Sequence, residues 1–176
     1  MSGRELFREA FRRWATTVVI VTYRDDAGRP AGMTATSMSS LSADPPSVLV
    51  CINRETRAHP VITRRGTFGI DMLSVGQRPI ASHCSAMGRD KILRDAWLAP
   101  DAAPDAPPRL AASLAHLECT LDRSYEAFSH TIMVGVIDAV WINPLESPPL
   151  LYHGGIYRPL ESEVERDERF HWQIEE

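Results

Sequence analysis

The sequence lacks several features that define whole classes of protein. Its 176 residues include only three cysteines, which lie far apart and form no C-x-x-C pair, a pattern that argues against a disulfide framework and a zinc site. No apolar run approaches the roughly 20 residues that a membrane-spanning helix needs, and the charged N-terminus is not typical of a secretory signal. We therefore expect no metal site, no membrane segment and a cytoplasmic location.

Basic charge is also scarce, because 19 Lys and Arg residues against 23 Asp and Glu residues give a formal net charge of −4. Nucleic-acid binding relies on a basic face, so we expect no nucleic-acid partner. Familiar signatures of catalytic and nucleotide-binding sites are missing as well, including G-x-G-x-x-G, the Walker loop, G-x-S-x-G and H-E-x-x-H. We therefore expect a cofactor to carry any chemistry.

The length of the chain suits a single domain. Apolar residues at helical spacing in the first 14 residues predict an amphipathic helix that covers a sheet or meets a partner. Further along, β-branched and apolar segments alternate with turn signals and short helical patterns. One of them, residues 113–122, alternates strictly and predicts a half-buried strand with His116 on its polar face. The pattern favours a mainly β fold with short helices, built as a closed or nearly closed antiparallel barrel.

Residues 32–53 are the most informative stretch, because a segment rich in hydroxyl groups leads directly into an apolar strand at 48–52. In an extended segment, alternating short polar and apolar side chains present a polar edge beside an apolar floor, which suits a flat heteroaromatic ligand. On composition alone, the alternative is a Ser/Thr-rich strand and loop solvated on one side. The candidate ligand-binding residues here are Met33, Thr34, Ala35, Thr36, Ser39 and Ser40.

Five motifs, in a fixed order and at compatible spacings, carry a resemblance to a known family. They are GMTA with VLVC over residues 32–51, FGIDMLSVGQ over 68–77, LEC over 117–119, HTIMVG over 130–135 and LLYHGGIY over 150–157. From about Phe11 to Leu160, the chain resembles the flavin reductase-like, FMN-binding split-barrel family. The resemblance implies one domain over residues 1–176, folded as an antiparallel Greek-key split β-barrel with a charged C-terminal tail at 161–176.

The resemblance also implies where a flavin, either FMN or FAD, binds. Residues 33–40 and Cys51 match the region beside the flavin, although Thr36 stands where relatives often carry Asn. Tyr157 and Arg158 are expected to border the flavin. The flavin phosphate is expected at a helix start, for which the alternative is a solvated helix N-terminus. The phosphate-binding candidates are Asn53, Arg54, Thr56 and Arg57.

His130 is the catalytic candidate, because the resemblance implies a histidine near the flavin at the place where nicotinamide stacks. A neutral imidazole ring there orients the dihydropyridine and excludes water. Relatives often have Asp before this histidine, whereas this chain has Ser129. For an isolated histidine, the alternative is a strand-end residue that bonds to backbone.

These matches imply an NAD(P)H:flavin oxidoreductase that reduces FMN or FAD and supplies reduced flavin to a partner monooxygenase. The resemblance further implies a homodimer in which each flavin lies near the subunit interface. The alternative function, from a different class, is a flavin-binding or flavin-carrying protein without catalytic activity on the same barrel. Both the choice of FMN or FAD and the choice of NADH or NADPH stay open at this level.

Overall fold

The computed structural model describes residues 1–86, 90–100, 103 and 105–160. Within them the chain forms three α-helices and ten β-strands, with short 3₁₀ turns at Val75–Gln77 and Asp95–Trp97. The charged tail predicted at 161–176 lies outside the described residues. The elements are α1 (Gly3–Arg12), β1 (Thr16–Thr17), β2 (Val19–Arg24), β3 (Pro30–Ala35), β4 (Ser39–Ala43), β5 (Pro46–Asn53), α2 (Ala58–Arg65), β6 (Thr67–Met72), α3 (Arg78–Ser85), β7 (Ala115–Ala127), β8 (His130–Ile142), β9 (Leu150–His153) and β10 (Ile156–Pro159).

A seven-stranded antiparallel sheet forms the body of the fold, in the order β3-β2-β6-β7-β8-β5-β4. Strands β3 and β4 lie at opposite edges of this sheet, yet only residues 36–38 connect them along the chain. Such a link spans at most about 14 Å, so the sheet must curl until its edges meet. The predicted mainly β split barrel is confirmed, and a smaller sheet of β1, β9 and β10 accompanies it.

Successive residues of β2 contact two separate hydrophobic clusters, because the side chains of a strand alternate between its faces. Val19 and Val21 belong to the barrel core together with Phe68. Val18, which precedes β2, and Ile20 belong to an outer cluster, which includes buried residues of α3. Fully burying an aliphatic or Phe side chain contributes about 1.5–3 kcal/mol. Both clusters therefore stabilise β2, one from each side.

The outer cluster lies beneath a long connection, the covering segment, which we define as the described residues from 92 to 113. Asp71 of β6 holds this segment through its buried carboxylate, whose Oδ1 accepts a hydrogen bond from the Leu110 amide at 3.0 Å. Its Oδ2 accepts a long hydrogen bond of 3.5 Å from the Thr22 hydroxyl and lies 3.0 Å from Nδ1 of His116. Burial raises the pKa of Asp71, while the close contact with His116 and the hydrogen bond from the Leu110 amide oppose that shift.

The strand predicted at 113–122 is present, but it continues to Ala127 as β7. The prediction for His116 is wrong, because the residue is only 1% exposed. The covering segment packs over the face that the alternation indicates as polar, and this burial is not visible in the local pattern. Within the described residues, neither ring nitrogen of His116 makes a hydrogen bond of good geometry, so we regard its contact with Asp71 as mainly electrostatic.

Helix α1 forms as predicted and begins with a capping box, in which the Ser2 hydroxyl accepts a hydrogen bond from the Glu5 amide. No residue of α1 is buried. Its apolar stripe is therefore open to a partner rather than packed on the sheet of its own chain. The large exposed side chains of the helix and the residues after it are Leu6, Phe7, Phe11 and Trp14. Within the described residues, no helix is long and apolar enough to cross a membrane.

Candidate active site

A cleft of about 640 Å³ opens where the ends of several elements meet. Strands β3 and β5 supply its floor, the chain entering α2 and the end of α3 flank it, and the first residue of β8 borders it. This volume is typical of small-molecule and cofactor sites, which range from about 300 to 1,000 Å³. The predicted site residues that line the cleft are Met33, Thr34, Ala35, Thr36, Cys51, Asn53, Thr56, Arg57 and His130.

The β3 side of the cleft combines an apolar surface with fixed polar groups. Met33 and Ala35 are buried, which gives the cleft an apolar floor. The Thr34 hydroxyl donates a hydrogen bond of 2.7 Å to the carbonyl of Ala81, and this bond ties β3 to α3. A hydroxyl oxygen keeps acceptor capacity after donating its proton. The β3 side can therefore accept a hydrogen bond from a ligand without presenting a charge.

Ser37 closes the seam of the barrel, where β3 leaves one edge of the sheet and the chain crosses toward β4. Its hydroxyl donates to the carbonyl of Cys51 and accepts from the amide of the same residue, both at 3.1 Å. A side chain thus replaces the backbone ladder that a continuous strand pair would form. The seam is a wall of the cleft, since Ser37 and Cys51 both line it.

The chain entering α2 forms the polar end of the cleft. The Asn53 side chain accepts a hydrogen bond from the Glu55 amide at 2.9 Å, and the Thr56 hydroxyl donates to the Asn53 carbonyl at 2.7 Å. These bonds shape a turn that leads directly into the helix. No side chain caps α2, whose N-cap residue is Arg57. A helix N-terminus with a neighbouring cation favours an anion, and Lys91 adds a second cation to the cleft lining.

Arg54, although predicted beside Arg57 as a phosphate ligand, does not line the cleft. Its guanidinium contacts Glu126 at 2.8 Å and donates a hydrogen bond of 2.6 Å to the carbonyl of Phe128. Its backbone amide donates to Ser129 at 3.0 Å. Arg54 therefore fixes the turn between β7 and β8, and its predicted contact with phosphate gains no support from this geometry.

His130 begins β8 and pairs in register with Asn53 of β5. Its side chain lines the cleft, and its Nδ1 lies 2.9 Å from the Ser129 hydroxyl. A neighbour at one ring nitrogen restricts the orientation of the imidazole. The catalytic candidate therefore sits at the cleft on a turn that Arg54 holds, with Nδ1 engaged by a neutral hydroxyl rather than a carboxylate.

Four other predicted residues lie away from the cleft. Ser39 and Ser40 are exposed on the edge strand β4. Tyr157 of β10 packs against the ring of Tyr152, with 5.5 Å between ring centroids, and Arg158 is exposed on the same strand. Their predicted contacts with a flavin are not supported by the arrangement of a single chain.

The cleft also contains residues that the sequence did not point to. Tyr23 is 3% exposed, and burial, with smaller contributions from Cys84 and Asp25, raises the pKa of its phenol to about 12. Burial likewise raises the pKa of the Cys84 thiol to about 12, which makes it a poor nucleophile. The unpredicted lining residues are Tyr23, Glu55, Ala58, Cys84, Ser85 and Lys91. No group of side chains suited to a metal ion occurs in the part of the chain that the structure describes.

Comparison with known proteins agrees with this fold. Residues 11–161 match the model of the flavin reductase-like domain. The chain is 34% identical over 157 residues to an NADH-dependent flavin reductase from a Rhodococcus species, which covers 88% of this chain and 85% of the relative. It is 31% identical to the reductase component of 4-hydroxyphenylacetate 3-monooxygenase from Thermus thermophilus, over 89% of this chain and 97% of the relative.

A solved structure supports the same assignment at the level of the fold. The NADH:FAD oxidoreductase of Streptomyces globisporus C-1027, in complex with NAD and FAD fragments, has a TM-score of 0.82 and 31% sequence identity. The match covers 92% of this chain and 95% of that protein. A curled antiparallel sheet with a hydroxyl-rich cleft at its seam defines the chain as a split-barrel protein. It belongs to the flavin reductase-like domain family.

Proposed function

We propose that the chain is an NAD(P)H:flavin oxidoreductase that reduces FMN or FAD and supplies the reduced flavin to a separate monooxygenase component. The observation that carries this proposal is the polarity of the cleft. The turn into α2 is cationic and has an uncapped helix start, strand β3 supplies an uncharged floor, and His130 borders the cleft beside Asn53. A flavin mononucleotide has the two matching parts, an anionic phosphate and an uncharged ring system.

The residues present fit a flavin. Its ring system is flat and largely apolar with a hydrogen-bonding edge, and the cleft provides the apolar surface of Met33 and Ala35 beside backbone groups and the Thr34 hydroxyl. Its phosphate is an anion, and Arg57, Lys91 and the start of α2 lie together at one end. When bound, the flavin accepts a hydride from NAD(P)H.

The protein contributes position and shielding more than acid or base chemistry. The buried Tyr23 and Cys84 keep their protons at neutral pH, so neither adds a charge near the ring. Arg57 and Lys91 would hold the phosphate, and the floor of β3 would hold the ring plane. His130 would orient the nicotinamide at the cleft and exclude water, and the Ser129 hydroxyl restrains its imidazole. Holding the two reactants close together in the correct orientation accounts for a large part of the catalysis of hydride transfer.

Assembly is the second part of the proposal. The exposed apolar stripe on α1 and the exposed apolar residues Val140 and Ile142 of β8 give the chain surfaces that a second copy would cover. We propose a homodimer in the cytoplasm. Light scattering on the flavin-loaded protein should give about twice the 19.6 kDa chain mass, and a monomer that still binds flavin at micromolar concentration would contradict it.

The reductase proposal is tested with purified protein, NADH and free FMN or FAD. Absorbance at 340 nm should fall over many turnovers, and the same mixture without protein sets the background. Stoichiometric flavin binding without turnover would instead identify a flavin carrier on the same barrel. Absence of flavin binding would contradict both functions.

A further inference from the structure

A second concavity of about 380 Å³ adjoins the cleft and has a different composition. Tyr23, Arg57 and Lys91 line both spaces, so the two meet at these three side chains. Beyond them the groove runs between the turn after β2 and the start of α2. We call it the side groove, and its remaining walls include Asp25, Ala27, Arg29, Pro60, Val61 and Asp90.

The side groove is lined by charges of both signs. Arg57 and Lys91 stand at the junction with the cleft, and the other charged residues of the groove are Asp25, Asp26, Arg29 and Asp90. Asp25 accepts hydrogen bonds from the Ala27 amide at 3.0 Å and from the Arg29 amide and side chain at 2.8 Å. Burial opposes ionisation of Asp25, but the bonds from Arg29 outweigh it and keep its pKa below the ordinary value. The carboxylate is therefore held ionised in one orientation.

Asp90 lies between two arginines and forms only a long ion pair with each of them. Its carboxylate is 3.9 Å from Arg57 and 3.8 Å from Arg29, and more than half of the side chain is exposed. Exposed pairs at such distances contribute little. Arg57 is therefore available to an anionic ligand at the junction, and the Asp90 carboxylate is available to hydroxyl or amino donors beside it.

The floor of the side groove is apolar. Ala31 and Val61 are 2% and 6% exposed, and Pro60 and Ile92 adjoin them. A flat apolar floor with acceptors at its edge suits a purine base and a ribose. FMN ends at its phosphate, so a phosphate at the junction would leave this groove unused.

We propose that the side groove binds the adenosine half of FAD, so that this chain prefers FAD to FMN. This inference rests on the proposed flavin function and adds the class of flavin to it. The diphosphate would lie at Arg57 and Lys91, the ribose hydroxyls would donate to the exposed Asp90 carboxylate, and adenine would lie on the floor of Ala31 and Val61, while Asp25, whose oxygens are taken by Ala27 and Arg29, would fix the shape of the wall. A volume near 380 Å³ is within the range of nucleotide-sized pockets.

Calorimetric titration of the wild-type protein with FAD and with FMN is the first measurement. FAD should bind at least about tenfold more tightly, a difference of about 1.4 kcal/mol, and free ADP should compete with both flavins because its diphosphate would occupy the Arg57 and Lys91 end that they share. Equal affinities for the two flavins would overturn the proposal. If neither flavin bound, the proposed function itself would fail, which is a different outcome.

Ala27→Trp provides the second test, because Ala27 is exposed and lines the side groove but not the cleft. The indole should fill the groove and weaken FAD binding about tenfold while leaving the FMN dissociation constant unchanged. Ala27→Leu should give a smaller loss of the same kind. Ala111→Trp, at an exposed alanine outside both spaces, is the matched control. Equal weakening of both flavins, or of neither in a folded variant, would contradict the assignment.

Discussion

The two sides of strand β2 use polar residues in opposite ways. On the side of the cleft, Tyr23 borders a space in which Arg57, Lys91 and His130 present groups to solvent. On the side of the covering segment, Thr22 meets the Asp71 carboxylate in a buried cluster. In the first region the polar groups are open to a ligand, and in the second they engage one another.

This difference separates binding from stability. Buried polar groups cost free energy unless they find partners inside the protein, and Asp71 has such neighbours in Leu110, Thr22, Ser113 and His116. Groups that keep solvent contact incur less of that cost and remain available to a ligand. Changes in the covered cluster should therefore alter folding, whereas changes in the cleft should alter affinity or rate.

The largest expected effect is that of Asp71→Ala. The change leaves the Leu110 amide and His116 without their buried partner, so it should cost about 3–5 kcal/mol of unfolding free energy. Urea denaturation measures this loss. The control Asp138→Ala removes an exposed acid that accepts a hydrogen bond from Thr120 and should cost less than about 1 kcal/mol. An equal loss of unfolding free energy in the two variants would contradict the inference that the covered cluster stabilises the fold.

The next effect distinguishes two neighbouring arginines. Arg57→Ala should weaken flavin binding by about 1.5–3 kcal/mol, because a charge-assisted hydrogen bond is lost, with turnover at saturating flavin nearly unchanged. Arg54→Ala should leave flavin affinity near the wild-type value, because its guanidinium holds the Phe128 carbonyl instead. Calorimetric titration of both variants checks the pair. If Arg54→Ala lost as much flavin affinity as Arg57→Ala, Arg54 would be assigned as a phosphate ligand after all.

His130→Ala should act on the reaction alone. We expect the hydride-transfer rate to fall or the NADH KM to rise by about tenfold, while the melting temperature and flavin affinity stay close to wild type because the residue is exposed. Stopped-flow reduction of bound flavin measures the rate. His153→Ala, an exposed histidine on β9, is the control. A less stable variant with full activity in its folded fraction would assign His130 to the structure instead.

The smallest effect concerns the dependence of stability on pH. The bonds from Arg29 hold the pKa of Asp25 below its ordinary value of 3.8, so Asp25 stabilises the fold above that pH and the contribution is lost as the pH falls through the lowered pKa. The difference in stability between wild type and Asp25→Asn should therefore shrink between pH 5 and pH 2, by urea denaturation. Glu146→Gln, at an exposed loop position, should show no such change if the assignment is right.

Local patterns were sufficient for much of the fold and part of the cleft. Helix α2 ends at Gly66 in a left-handed conformation that favours glycine, and a glycine after a short helical pattern is a stop signal that the sequence itself displays. The hydroxyl-rich segment was predicted to lie beside an apolar floor, and residues 33–36 do line the cleft. In both cases the physical cause acts within a few residues of the chain.

The remaining features depend on contacts between distant segments. Lys91 reaches the cleft from the chain beyond α3, and the covering segment buries His116 although its strand alternates like a solvated one. Arg54 and Arg57 are three residues apart and chemically identical, yet one faces the turn after β7 and the other the cleft. Neither period nor composition encodes such directions, because tertiary packing determines them.

The Ser37 hydroxyl at the barrel seam should affect the hydrogen-exchange rate of the Cys51 amide, which it binds. Because the Cys51 amide is held by a side chain rather than by a strand carbonyl, a change of rotamer at Ser37 frees it without breaking any backbone ladder. That amide is therefore expected to exchange its hydrogen with solvent deuterium earlier than the amides of Val50 and Ile52, which lie on either side within β5. A ligand bound against the seam would slow this exchange. The exchange rate of the Cys51 amide would therefore report whether the cleft is occupied.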